Sequence, residues 1–149
     1  DTRTFHFALA IGILLGLLPQ NVQHPSLAAL YFGRVQNLPH PDIPLARIAL
    51  LLMALYPIAQ ALRGHAEGVA AWARQPTAIL AGQSVFLSVL CLALMTFLAF
   101  HVPGYLMGGL ALILASLSSG ATIRITVWWA SEQAARLATE KPPTEPIAP

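Results

Sequence analysis

Charge is what this sequence has least of. Only 9% of its 149 residues are Asp, Glu, Lys or Arg, whereas a soluble domain carries roughly 25%. Residues 77–100 contain no charged side chain at all. So few charges cannot keep a soluble surface wetted, and a soluble core helix rarely stays apolar all round for so long. Cysteine is nearly absent too. The single Cys91 cannot form an internal disulfide, and its place inside an apolar run makes it a small packing residue.

Other absences narrow the function. The basic residues, Arg3, Arg34, Arg47, Arg63, Arg74, Arg124, Arg136 and Lys141, are scattered singly. They form no phosphate-tracking patch, which excludes nucleic acid as a partner. No acidic residue sits at the centre of an apolar run, an argument against a proton-coupled pump. The two halves show no inverted repeat. There is no phosphate-binding glycine loop, no paired catalytic carboxylates and no Ser–His–Asp order, so no catalytic residue is assigned.

What is present is apolar length. Hydrophobic residues make up 56% of the chain and the mean hydropathy is +0.66. About 20 apolar residues in a helix cross a ~30 Å hydrocarbon core. The sequence therefore predicts an all-α, polytopic integral membrane protein with four transmembrane helices at about residues 5–19, 45–62, 77–100 and 105–130. Together these form one domain, residues 1–131, and residues 132–149 form a polar, Pro-rich tail with a disordered end. The first run has the length of a signal-peptide core, but Pro19-Gln20-Asn21 follows it in place of a small-residue cleavage site. It is read as a retained helix.

Residues 20–44 contain Pro25, Pro39, Pro41 and Pro44. Within them Ser26 is a helix start and Gly33 a stop. That segment is too short to span, which predicts a short helix that is interfacial or re-entrant. Pro44 and Pro76 suit first helical turns. Pro57 predicts a kink that frees the Met53 carbonyl. Residues 63–76 read as a polar connection.

Orientation follows the positive-inside rule. Arg3, Arg63, Arg74, Arg124, Arg136 and Lys141 share one side against Arg34 and Arg47 on the other, which puts both termini in the cytoplasm. Seven arginines to one lysine, with abundant Ala and Leu, suggest a GC-rich bacterial gene and hence an inner membrane.

Candidate functional residues fall into three sets. Gly12 and Gly16 on the first span, and Gly104, Gly108, Ala111, Ala115, Ser119 and Thr122 on the fourth, recur at three- and four-residue steps. Such rows let helices approach closely, within the bundle or against another subunit. Gln60, Gln83, Ser84, Ser88 and Thr96 are the candidate lining of a polar path, with Gln60 and Gln83 expected to bond to each other. His6, His65 and His101 are weak candidates for holding haem or quinone. His24, His40 and His101 make a poor metal set in Pro-rich loops, so neither cofactor nor metal is predicted. Arg124 is expected to snorkel, with Glu67 or Glu132 as alternative partners, and Arg47 to neighbour Asp42.

The expected partners are the lipid bilayer and other membrane subunits. The leading expectation is a non-catalytic accessory or structural subunit of a larger membrane complex. The alternatives are a small homo-oligomeric transporter or channel, and, behind it, a redox subunit holding haem or quinone.

Overall fold

The computed structural model describes residues 2–140; most of the expected disordered tail end, residues 141–149, lies outside them. Among the described residues there are helices and turns but no strands. The helices are α1 (Thr2–Leu17), α2 (Pro25–Ala28), α3 (Ile43–Met53), α4 (Tyr56–Trp72), α5 (Pro76–Ala99) and α6 (Gly104–Glu140). A 3₁₀ segment, Leu18–Gln23, extends α1, and a π-helical segment, Ala29–Val35, extends α2. Four helical stretches are long and apolar enough to cross a membrane: Thr2–Asn21, Ile43–Trp72, Pro76–Ala99 and Gly104–Leu137. The chain is thus compatible with a multi-pass membrane protein.

The second stretch is broken. Leu55 N–H donates to the Leu52 carbonyl at 3.1 Å, a tightened turn between α3 and α4. Pro57 lies in the first turn of α4, so the proline starts a new helix after the break. Pro44 and Pro76 occupy the first turns of α3 and α5, where a missing N–H costs nothing. From Arg63 onward α4 stays helical to Trp72, where a polar loop was expected.

The helices α4 and α5 end on non-glycine residues in the left-handed region, Arg74 (φ 54°) and His101 (φ 54°). In each the chain closes with a 6→1 bond, Gln75 N–H to Ala70 O at 3.0 Å and Val102 N–H to Phe97 O at 2.9 Å. These are Schellman ends in which Arg74 and His101 stand where glycine is usual.

The spans form a row rather than a closed ring: α1 packs on α4, α4 on α6, and α6 on α5. The chain runs antiparallel between α1 and α4, because Gly16 meets Ala54 while Gly12 meets Pro57 and Ala61. A Cβ on Gly16 would run into the Ala54 carbonyl oxygen, and one on Gly12 would lie 2.8 Å from the Ala61 Cβ. Only glycine allows this approach. The first residues of α1, the α4–α5 turn and the far end of α6 therefore share one end of the row. There α4, α5 and α6 close around a small core of Ala66, Ala70, Ala78 and Ile123. At the other end lie the segment from Leu18 to Asp42 and the α5–α6 turn.

Candidate functional site

The polar groups of the spans converge at the end that holds the start of α1. Arg63 Nε donates to Glu67 Oε1 at 2.9 Å, one helical turn along α4. The Arg63 guanidinium also lies over the Phe86 ring of α5, 4.4 Å from its centre. Gln83 of α5 donates to the same Glu67 oxygen at 3.3 Å. This ion pair thus joins α4 to α5. The Arg63 side chain is 11% exposed and that of Glu67 32%, so the pair is partly desolvated and removing one partner would strand the other. Phe86 follows Pro76 by ten residues, which sets Arg63 about 15 Å along α5 from its start.

On the other flank of α4, Phe5 of α1 meets the His65 ring edge-on at 5.4 Å. The Arg124 guanidinium of α6 lies 5.6 Å from the Phe5 ring centre. Arg124 has no carboxylate partner among the described residues; the aromatic ring takes the place expected for Glu67 or Glu132. Two hollows adjoin this stack. One, about 390 Å³, is lined by Thr2, Phe5, His65, Val69 and Arg124. The other, about 180 Å³, continues between α1, α4 and α6 and reaches Ser116. Ser116 and Ser119 are fully buried, and their hydroxyls have no hydrogen-bond partner. A buried hydroxyl without a partner is unusual.

The three candidate sets fare differently. Of the small-residue set, Gly12, Gly16, Ala111, Ala115 and Ser119 are buried between helices of this chain. Gly104 and Gly108 face open space. Three glycines outside the set make close contacts: Gly82 against Ile123, Gly109 against Leu52, and Gly120 against the Arg63 backbone. Gly109 and Gly120 are offset from the row on α6 and Gly82 stands alone on α5, so a count of three- and four-residue steps misses them. Of the polar-path set, Gln60, Gln83, Ser84, Ser88 and Thr96 are all exposed on the outside of the row. Gln60 bonds to the Tyr56 hydroxyl at 2.8 Å and Gln83 to Glu67, so the expected Gln60–Gln83 bond is replaced. Ser84 and Thr96 donate to carbonyls one turn back on their own helix.

His6 and His65 both border Phe5, whereas His101 caps α5 at the opposite end. The structure does not bring the three together. Among the described residues no group of three or more His, Cys, Asp and Glu side chains is placed to hold a metal ion; the His40 side chain lies outside the description. Arg47 is not paired with Asp42 either. Its Nη2 donates to the Gln23 carbonyl at 2.6 Å, and the Gln23 amide donates to the Arg47 carbonyl at 2.9 Å. This reciprocal pair ties the 3₁₀ segment to α3.

Comparison of the chain with models of protein families, with curated proteins and with solved structures gave no match.

Proposed function

We propose that this protein is a small, non-catalytic subunit of a larger membrane complex, in a bacterial inner membrane with both termini in the cytoplasm. One observation carries the reading. The four spans lie in an open row, leaving broad apolar faces on α1 and α5: Phe7 is 70% exposed, and Leu92 and Met95 are 70% exposed. A row of helices encloses no path of its own and offers two flanks to neighbours. Lipid alone can cover such flanks, so the experiment is migration after solubilisation in a mild detergent. Co-migration with other membrane proteins supports the subunit reading; a lone monomer overturns it.

The arginine distribution supports the orientation. Arg3, Arg74, Arg124 and Arg136 belong to one end of the row, Arg34 and Arg47 to the other. In this reading the segment Pro25–Val35, too short to span, lies along the interface, and the half-exposed Tyr31 suits headgroup depth. If α5, about 36 Å long, marks the bilayer, the Arg63–Glu67 pair sits within hydrocarbon depth, where partners are obligatory.

The homo-oligomeric transporter or channel is the second reading. Its support is the outward exposure of Gln60, Gln83, Ser84, Ser88 and Thr96, which restricts any path to the seam between copies. Absence of solute flux in liposomes removes it. Haem at His6 and His65 predicts a Soret band in the purified protein, and a featureless spectrum eliminates haem.

A further inference from the structure

We propose that the paired hollows beside Phe5 form a binding site for an anionic amphiphile: a phosphate-headed lipid, with its phosphate on Arg124 and part of its apolar body in the hollow below. Two independent observations meet there. First, Arg124 carries a guanidinium with no carboxylate partner among the described residues, 5.6 Å from the centre of the Phe5 ring. A guanidinium fork can bind two oxygens of one phosphate. His65 lines the same upper hollow. Second, the two hollows share Phe5 and Arg124, but the lower one is walled by Leu62, Leu117 and Ala121. The site is cationic at its mouth and apolar below, the profile of a lipid entering from the membrane edge.

Ser116 lies eight residues from Arg124 on α6, about 12 Å deeper along the helix axis. A protein segment would need its own backbone groups bonded at that depth, which the lower chamber cannot do. The inference rests on the membrane placement of the four helices and not on the subunit reading, which detergent migration tests separately.

The test uses the full chain purified in dodecyl maltoside, with bound lipid counted by native mass spectrometry. Phosphatidylglycerol is expected to be retained at one per protomer and phosphatidylcholine at least tenfold less. Arg124→Gln is expected to lower phosphatidylglycerol retention tenfold or more. Ala121→Phe, which fills the lower chamber from an exposed position, should do the same. Arg34→Gln, at the opposite end, should leave retention unchanged. Arg124→Lys keeps the charge without the guanidinium fork and is expected to fall between. Helical circular dichroism and a single elution peak identify the variants that remain folded, and Ala121→Phe and Arg124→Lys decide the matter if Arg124→Gln does not fold. Equal retention of the two lipids, an unchanged Arg124→Gln, or an equal loss in Arg34→Gln overturns the proposal. Displacement of the lipid by millimolar inorganic phosphate marks a free-anion site and overturns the chain-binding half of it.

Discussion

Helices α5 and α6 are neighbours of similar apolar character with opposite fates. The more apolar by sequence is α5, yet only 11% of its span window is buried, against 39% for α6. Fully buried Ala111, Ala115, Ser116, Ser119 and Ile123 all belong to α6, while α5 turns Leu80, Leu87, Leu92 and Leu98 outward. In a soluble protein the greasier helix goes inside. Lipid tails are as apolar as leucine, so here burial follows smallness, which lets backbones close in and gain dispersion contacts.

The sharpest way to break this contrast is to add bulk where α6 and α1 are closest to their neighbours. Ala115→Leu and Gly16→Val are each expected to destabilise by about 3 kcal/mol, the upper range for overpacking. The midpoint of unfolding in a denaturing-detergent titration reads this directly. Leu92→Ala on α5 should move it by less than about 0.5 kcal/mol. A large loss at Leu92 would mean that α5 has a partner this row does not contain. Arg63→Gln tests the tie between α4 and α5. It strands Glu67, and because that carboxylate is about a third exposed, the expected loss is about 2 kcal/mol, below the 3–5 of a fully buried pair. The double variant Arg63→Gln/Glu67→Gln should recover part of that loss.

The next effect has the opposite sign. His101→Gly relieves a left-handed residue at the end of α5, and a gain of about 1 kcal/mol is expected in the same titration. The smallest test compares adjacent glycines of α6. Gly108→Ala enters open space and should be neutral or stabilising by up to about 1 kcal/mol. Gly109→Ala meets Leu52 at 2.9 Å and should lose stability.

Run length was enough to find the four spans, because a ~30 Å apolar slab imposes a length that composition reveals. The extension of α4 past Arg63 was not legible. Arg63, His65 and Glu67 look like a loop when read along the chain, because what keeps them helical is Phe86, Gln83 and Phe5 on other elements. Ala111, Ala115 and Ser119 were visible as a row, but the row could not say whether it faces inward, and Gly104 and Gly108 on the same row do not. Arg124 stood out as a charge in an apolar run, whereas its contact with Phe5, 119 positions earlier, depends on α1 folding back along α4. The Ser116 hydroxyl carried no signal at all, since a serine between Ala115 and Leu117 looks like one more small residue.

The order of manufacture is set by α6. It is the latest of the four spans to leave the ribosome, yet it is the neighbour on which both α4 and α5 settle. During synthesis α1 can zip onto α4 through Gly12 and Gly16, while α5 waits in the bilayer with little to hold. A nascent chain stopped at Phe100 and carrying Cys91→Ser with Ala78→Cys should react with a thiol reagent at position 78; the full chain buries that position against Ile123. The molecule is completed from its last strut inward.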